Sequence, residues 1–502
     1  MYIEIMDTTL RDGEQTSGVS YTASEKLHIA RLLLEEVKVD RIEVASARVS
    51  EGELEAVKRI TDWAARAGHL DKVEVLAFID GGLSIDWIRK AGAKTVNMLS
   101  KGSMKHLTGQ LRKTPEEHLY DIKQNIENIT QSGMNANLYL EDWSNGMRNS
   151  KDYVFFLVDN LKDTALQRIM LPDTLGILSP DEVFCFCTEM RKRYPNLRFD
   201  FHAHNDYDLS VANSLAAFKT GVCGIHTTVN GLGERAGNTP LASIVATLKD
   251  HTDAKLRLNE EKLTLLSKMV ETLSGVRIPA NKPIVGENVF TQACGVHADG
   301  DNKDKLYYND LLPERFGGVR KYALGKTSGK ANIIKNLEEL GIQLDAASMQ
   351  RVTRRVIELG DRKETVTVED LPYIISDVLQ SEGIEQNIKV HNYSLNVAHG
   401  LKSMATLSLE VDGTCYEQTA SGDGQYDAFM KALEKIYKSL NKKLPKLADY
   451  TVTIPPGGRT DALVETVITW RTEPGREFKT RGLEPDQTIS AIKATVKMLN
   501  MI

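Results

Sequence analysis

Short runs of apolar and β-branched residues alternate with longer stretches in which apolar residues recur at helical spacing through the first half of the chain. The short runs predict strands at residues 3–6, 41–45, 73–78, 95–99, 135–140, 168–171, 198–202 and 224–228. The longer stretches predict helices, for example over residues 24–37, 51–67, 115–131, 180–193 and 209–219. Eight strands that each precede a helix indicate a (β/α)8 barrel of about 250 residues. An open doubly wound sheet is the alternative, but it normally has fewer strands.

The pattern changes after about residue 270, which predicts further domains. Residues 271–330 are rich in Gly, Asn, Asp and Lys and indicate loops with short helices, whereas residues 331–380 have a helical pattern. We interpret residues 271–386 as connector subdomains that pack at the mouth of a barrel formed by residues 1–270. Residues 387–502 contain strand-like runs followed by a helix, and this order occurs twice. The duplication predicts a separate α+β domain, in which Asp427 and Asp486 each begin a helix as its N-cap.

Composition and charge exclude several classes of protein. The 502 residues carry a net charge of −6, with 26% charged and 41% hydrophobic residues, which is typical of a soluble globular protein. No basic excess points to nucleic acid, and no run of about 18 apolar residues could span a membrane. The N-terminus MYIEIMDTTLRDGEQ lacks the pattern of a signal peptide, and the five cysteines are scattered. We therefore expect a cytoplasmic protein with neither a nucleic-acid nor a membrane partner.

Polar residues follow several predicted strands, at the end where barrels of this kind carry their active sites. Asp12 follows the first strand, and His202 and His204 lie two positions apart at the end of the seventh, so their side chains point the same way. Two neutral imidazoles and one carboxylate could bind a divalent metal and leave positions open for substrate and water. The alternative is that the histidines only form hydrogen bonds at a polar rim. His226 lies inside an apolar strand and is predicted to be a buried, hydrogen-bonded residue.

Other residues at the same rim each allow a functional and a structural interpretation. Arg11 could stabilise an oxygen that gains negative charge, or it could form a salt bridge with Glu141 or Asp173. Glu141 could act as a base or serve the structure alone. Thr174 could bind a substrate carboxylate or cap the next helix. Three residues late on their strands could line an apolar pocket or belong to the ordinary core: Leu76, Leu99 and Tyr139.

Three segments, DTTLRDGEQ, HAHNDYDLSVANSL and NGLGERAGNTPL, resemble the signatures of the DRE-TIM metallolyase superfamily. Within it they are similar to the Claisen-condensing branch, which comprises isopropylmalate, citramalate and homocitrate synthases. The C-terminal repeat is similar to the regulatory domain of isopropylmalate and citramalate synthases, so the resemblance covers nearly the whole chain. It implies a homodimeric acyltransferase of amino-acid biosynthesis with acetyl-CoA as co-substrate and a divalent metal ion, either Mn, Mg, Zn or Co.

The segments ARVSEGELE, YLEDWSNGMRNS, IVGENVFTQACGVHADGD and LPERFG resemble the citramalate synthase subgroup. That resemblance implies condensation of acetyl-CoA with pyruvate to (R)-citramalate, the first step of the pyruvate route to isoleucine. A 2-isopropylmalate synthase, which acts on 2-oxoisovalerate in leucine biosynthesis, is the alternative. The regulatory-type domain argues against an aldolase or lyase of the superfamily. The complete set of polar rim residues argues against a sensor without catalytic activity.

The resemblance also implies roles for residues of the barrel. Arg11 would be the electrophilic group at the keto oxygen, and Glu141 would be the base that deprotonates the acetyl methyl group. The metal ligands would be Asp12, His202 and His204. Four residues would contact the keto acid or limit the volume of its side chain: Leu76, Leu99, Tyr139 and Thr174.

In the connector, the resemblance implies that three residues reach the active site of the neighbouring subunit. They are His297, with a catalytic role, and Asp299 and Tyr307, which would contact substrate. Tyr308 is the alternative to Tyr307, because it has the spacing to Pro313 that isopropylmalate synthases show.

The resemblance further implies that residues 387–502 bind an effector, here isoleucine, between the duplicated units at a dimer interface. Asp427 would bind the amino group. The other matching positions are Tyr450, Ile454 and Val464, for the apolar side chain, and Gln487. The structural alternative is that Asp427 only caps its helix and that the others belong to the core.

Overall fold

The computed structural model of the protein describes residues 1–361, 366–379, 388–453, 464–473, 475 and 477–501. Contacts within the described chain divide it into two compact units. The first contains Met1–Thr291 and Tyr307–Lys321, and the second contains Gln292–Leu306 and Tyr322–Ile502. In the part of the chain that the structure describes, no helix combines the length and the apolar character that crossing a bilayer requires.

Eight parallel strands in the first unit close into a barrel in sequence order, which confirms the predicted (β/α)8 fold. The closing pair places Glu4 opposite Gly224 and Asp7 opposite Thr227. Gly224 is required there, because a Cβ atom would lie 2.6 Å from the carboxylate of Asp200. The strands are β1 (Glu4–Asp7), β2 (Arg41–Ser46), β3 (Val73–Phe78), β4 (Thr95–Lys101), β5 (Asn135–Glu141), β6 (Leu166–Asp173), β7 (Phe199–Ala203) and β8 (Gly224–Thr227).

Helices follow the strands and cover the outside of the barrel. The predictions for residues 51–67, 115–131 and 180–193 match the observed bounds, whereas 24–37 divides into an α-helix and a π-helical turn, Leu32–Val37. The helices of this unit are α1 (Ala23–Arg31), α2 (Glu51–Ala67), α3 (Leu83–Lys90), α4 (Met104–His106), α5 (Pro115–Gln131), α6 (Trp143–Asn149), α7 (Lys151–Leu161), α8 (Pro180–Arg193), α9 (Ser210–Lys219), α10 (Leu241–His251) and α11 (Leu263–Ser274).

A buried ionic network fills the barrel interior near the amino ends of the strands. Arg41 binds Glu4 at 3.0 Å, Glu74 at 2.8 Å and Asp200 at 2.5 Å, and Arg168 binds Asp200 at 3.1 Å. Although burial opposes it, the two arginines hold the pKa of Asp200 well below its ordinary value. Buried charges persist only when they are paired in this way. The network occupies this end of the barrel and leaves the carboxyl ends of the strands for a site.

The connector contributes helices to the second unit, as the helical pattern of residues 331–380 predicts. Their apolar faces form a small core that includes Ile333, Val352, Val356 and Leu371. Two short strands, β9 (Thr291–Gln292) and β10 (Lys321–Tyr322), pair with each other. The helices are α12 (Gly295–Asp304), α13 (Lys330–Leu340), α14 (Ala346–Asp361) and α15 (Leu371–Leu379).

The C-terminal part of the second unit consists of two antiparallel three-stranded sheets, each followed by a helix. This confirms the predicted duplication. The first repeat contains β11 (Ile388–Asn396), β12 (Ser403–Val411), β13 (Thr414–Gly422) and α16 (Gln425–Ser439). The second contains β14 (Lys446–Thr453), β15 (Val464–Arg471), β16 (Glu477–Glu484) and α17 (Gln487–Leu499). Both repeats share one core, in which Phe429 and Trp470 are fully buried.

The two predicted N-caps of this domain have different outcomes. Asp486 caps α17, because its carboxylate accepts hydrogen bonds from the backbone N–H groups of Thr488 and Ile489. The prediction for Asp427 is wrong, since Gly424 is the N-cap residue of α16 and Asp427 lies in the first helical turn.

Candidate active site

Asp12, His202 and His204 lie together at the carboxyl end of the barrel, as predicted. One ligand atom from each residue lies within 4.8 Å of the others. Nε2 of His202 is 3.2 Å from Oδ2 of Asp12, and Nε2 of His204 is 3.9 Å from the same oxygen. All three side chains are buried. His202 near the end of β7 and His204 just after it lie two positions apart, so both imidazoles are directed to the carboxylate that follows β1.

The chemistry of this group fits a divalent metal ion. Oδ1 of Asp12 and Nδ1 of both histidines are buried without a hydrogen-bond partner, which is costly unless a cation or water is bound. Burial lowers the pKa of His204 to about 4, so its imidazole is neutral at pH 7, as metal ligation requires. Although burial opposes it, Arg11 and the histidines hold the pKa of Asp12 well below its ordinary value.

Arg11 is held beside the three ligands by two carboxylates. Its Nε donates to Oε2 of Glu43 at 2.5 Å, and Nη1 is 3.2 Å from Oδ2 of Asp12. The predicted partners, Glu141 and Asp173, are wrong. Asp173 instead accepts two backbone hydrogen bonds from the loop that follows β6. Glu43 was not predicted as a site residue, because its one signal in the sequence is a charged residue inside the apolar run of β2.

The guanidinium of Arg11 lies 5.8 Å from the ring centroid of Tyr139, whose hydroxyl group is hydrogen-bonded. The hydroxyl oxygen is 3.1 Å from Nδ1 of His226 and 3.4 Å from Oε2 of Glu43. The ring of Tyr139 meets that of His202 edge-on at a centroid distance of 6.1 Å. His226 is buried, as predicted, and Nε2 of its ring faces Asp200 at 3.5 Å. A chain of polar contacts thus connects the ionic network to the three ligands.

If Tyr139 contacts a keto acid, as the resemblance of the sequence implies, His226→Phe should raise the KM for that substrate about fivefold, with little change in the KM for acetyl-CoA. The substitution removes one hydrogen bond, worth about 1 kcal/mol, that orients the ring of Tyr139. Steady-state kinetics in which each substrate is varied in turn would measure the two KM values separately. If His226 acts through the hydroxyl group of Tyr139, the double variant with Tyr139→Phe should have the same KM for the keto acid as Tyr139→Phe alone. Additive effects of the two substitutions would contradict this role of His226.

Apolar side chains next to these polar groups form a cluster separate from the main core of the barrel. The buried members are Met6, Leu76, Tyr139 and Met170, and the partly buried Leu99 packs against them. Leu99 and Tyr139 are direct neighbours on β4 and β5. The structure therefore brings together the three apolar residues that the sequence singled out and adds two methionines from β1 and β6.

Glu141 ends β5 at the same rim. Its carboxylate forms an ion pair with the buried Lys101, the last residue of β4, and lies 4.0 Å from Nδ1 of His106. Thr174 accepts a hydrogen bond from the backbone N–H of Asp142 at 2.9 Å. The alternative for Thr174 as a helix cap is wrong, because Ser179 caps α8.

Asp7, at the end of β1, gives the barrel a pH-dependent stability. Burial raises the pKa of its carboxyl group to about 7, against about 4 in the unfolded chain. The protonated carboxyl group therefore contributes its full stabilisation below about pH 4. As pH rises through 7 this contribution is lost, which lowers the free energy of unfolding by about 4 kcal/mol in total. In chelator-treated protein, Asp7→Asn should unfold at higher urea concentration than the wild type at pH 8, and the difference should shrink at pH 4. A difference independent of pH would contradict this.

Three family models match consecutive parts of the chain. They are HMGL-like over residues 2–270, Homocitrate synthase post-HMGL domain-like over residues 284–364, and LeuA allosteric (dimerisation) domain over residues 365–502. The (R)-citramalate synthase of Methanocaldococcus jannaschii is 33% identical, over 100% of both chains. The chain belongs to the 2-isopropylmalate and citramalate synthase family. It is therefore an enzyme that condenses acetyl-CoA, and Asp12, His202 and His204 are its metal-binding triad.

The relatives do not decide which member of the family this synthase is. The 2-isopropylmalate synthase of the same organism is 32% identical, over 100% of this chain and 94% of the relative. That of Pyrococcus furiosus is 33% identical, over 100% of this chain and 99% of the relative. Among these relatives, identity to the two kinds of synthase differs by no more than one percentage point.

The residues predicted to reach the active site of a neighbouring subunit of the synthase divide between the two units. His297 and Asp299 lie on α12 in the second unit, where Asp299 binds Lys303 at 2.6 Å. Tyr307 and Tyr308 follow in the first unit, where the guanidinium of Arg320 lies 3.9 Å from the ring centroid of Tyr308. Their roles in catalysis stay predictions.

The predicted effector residues of the synthase lie in the C-terminal domain, except Ile454, which lies outside the described residues. Asp427 accepts a hydrogen bond from Lys431 at 2.6 Å, which lowers the pKa of its carboxyl group. The ring of Tyr450 lies 5.6 Å from that of Tyr426 on α16. The remaining two begin elements of the second repeat: Val464 on β15 and Gln487 on α17.

Proposed function

We propose that the synthase condenses acetyl-CoA with pyruvate to give (R)-citramalate and CoA, the first step of a route to isoleucine. The observation that carries this proposal is the apolar cluster beside the metal-binding triad. Leu76, Leu99 and Tyr139 present bulky side chains from three adjacent strands, and the ring of Tyr139 meets that of His202. Such a wall accommodates the methyl group of pyruvate more readily than the isopropyl group of 2-oxoisovalerate, since steric clash rejects the larger substrate.

The residues of the site account for the steps of this reaction. Glu141 would take a proton from the acetyl methyl group, and the resulting carbanion equivalent attacks the keto carbon of pyruvate. Arg11, whose orientation Glu43 fixes, would donate to the oxygen that becomes an alkoxide. When bound by the triad, a divalent cation supplies Lewis-acid polarisation of the keto group. Water then cleaves the thioester, so that acetyl-CoA, pyruvate and water yield citramalate and CoA.

The proposal can be tested by measuring the release of CoA thiol from acetyl-CoA, with pyruvate and 2-oxoisovalerate supplied in separate reactions. We expect a larger kcat/KM with pyruvate. If the wild type prefers 2-oxoisovalerate, the enzyme is a 2-isopropylmalate synthase, and the same chemistry serves leucine biosynthesis.

Leu76→Ala or Leu99→Ala should shift the ratio of the two kcat/KM values towards 2-oxoisovalerate by about tenfold or more. Each substitution removes side-chain volume from the proposed wall, and one or two methylene groups change discrimination by about 1–3 kcal/mol. Leu111→Ala, at an exposed leucine outside the cluster, is the matched control. An unchanged ratio in both test variants would remove these residues from the substrate site.

We further propose that the synthase is a homodimer whose C-terminal domain binds isoleucine. The match of residues 365–502 to an allosteric dimerisation domain supports this, as does the duplicated α+β unit. Titration calorimetry of the full chain with isoleucine, leucine and valine should show heat of binding with isoleucine. Asp427→Asn should weaken the affinity for isoleucine. No heat with any of them would refute effector binding, and sedimentation of a monomer would refute the dimer.

A further inference from the structure

A second group of metal-ligand side chains lies on the first sheet of the C-terminal domain. His391 on β11, Glu410 on β12 and Cys415 on β13 each offer one ligand atom, and these atoms lie within 4.8 Å of one another. His391 and Cys415 are exposed. The neighbours of Glu410 in β12, Leu409 and Val411, are buried in the core, so Glu410 points to the opposite face of the sheet.

The pairing of the strands explains how these side chains meet. Glu410 and Cys415 are directly opposite each other in the antiparallel pair of β12 and β13. The register of β11 against β12 shifts between Val390 and Asn392, which makes His391 the extra residue of a β-bulge. A bulge redirects a side chain, and here Nε2 of His391 lies 2.7 Å from Oε2 of Glu410. Three adjacent strands thus direct an imidazole, a carboxylate and a thiol to one point.

We propose that His391, Glu410 and Cys415 bind a borderline-soft divalent transition metal of the Zn²⁺ class. A nitrogen, an oxygen and a sulfur ligand suit this ion in tetrahedral geometry, with water in the fourth position. Bonds of about 2.0–2.3 Å require the three ligand atoms to move closer together than 4.8 Å, which rotation of the exposed side chains of His391 and Cys415 can provide. Binding replaces the hydrogen bond between His391 and Glu410 and releases the thiol proton of Cys415 to solvent. The bound ion joins both edge strands of the sheet to the central strand.

Titration of reduced, metal-free full-length protein with Co²⁺ tests the proposal, because the new site contains sulfur and the barrel triad, the other such group among the described residues, does not. The barrel triad has two nitrogens and one oxygen and gives no thiolate-to-cobalt charge-transfer band in the near ultraviolet. We expect the wild type to show that band, and Zn²⁺ to abolish it by displacing Co²⁺. Cys415→Ser should eliminate the band. His391→Ala and Glu410→Ala should each weaken the apparent affinity for Co²⁺ by about tenfold or more.

Cys185→Ser, which alters another exposed cysteine, should retain the band and is the matched control. Far-ultraviolet circular dichroism checks that each variant is folded. The absence of a thiolate band with excess Co²⁺, or its persistence in Cys415→Ser, would refute the site. Unchanged affinity in both His391→Ala and Glu410→Ala would refute the proposed ligand set.

Discussion

Asp12→Asn or His202→Ala should lower kcat by about 10³-fold or more and leave the barrel folded. The triad positions a Lewis acid whose effect on the transition state is worth several kcal/mol, and each 1.4 kcal/mol corresponds to a tenfold change in rate. The fold should survive, because Asp12→Asn keeps the size of the side chain and His202→Ala removes a buried Nδ1 that has no hydrogen-bond partner in the protein. Rates of CoA release, metal content per subunit and far-ultraviolet circular dichroism together measure this outcome.

His69→Ala is the matched control, since His69 precedes β3 and lies at the opposite end of the barrel. Its rate and metal content should equal those of the wild type. Chelation of the wild type should reproduce the loss, and return of a divalent metal should reverse it. Full turnover by Asp12→Asn, or by metal-free wild type, would reject the triad as the catalytic metal site.

Glu141→Gln should lower kcat by about 10²–10⁴-fold, the range expected when a general base is removed. The amide retains the size of the side chain but cannot accept the methyl proton, and it also loses the ion pair with Lys101. Acetyl-CoA deuterated at the methyl group separates these two effects. If Glu141 is the base, removal of the methyl proton becomes the rate-limiting step in the variant. The deuterium isotope effect on kcat/KM should then rise above that of the wild type.

Glu127→Gln, at an exposed glutamate on the helix that precedes β5, is the control and should behave as the wild type. A slow Glu141→Gln enzyme with an unchanged isotope effect would assign Glu141 a structural role at the rim. In that case another group must remove the proton.

Local patterns of residues along the chain were enough to predict the barrel, the duplicated C-terminal domain and the triad. Strand and helix periodicity are local properties of the chain. The predicted ends of the eight strands therefore differ from the observed ends by no more than two residues. The start of a helix is also encoded locally where the chain has a capping box, as in α5, where Thr114 is the N-cap residue and Glu117 lies in the first turn. The triad followed because the carboxyl ends of parallel strands share one rim, whatever their separation along the chain.

The partners of individual side chains, in contrast, depend on how the strands and helices come together in space. Arg11 pairs with Glu43 because β1 and β2 are adjacent in the barrel, whereas the sequence offered Glu141 and Asp173 equally. The hydroxyl of Tyr139 meets His226, 87 positions away, across the barrel interior. Asp427 is not an N-cap, because the backbone turns into α16 at Gly424. A one-residue bulge places His391 beside Glu410. Such contacts depend on register, closure and the direction of each side chain, which local patterns of residues do not encode.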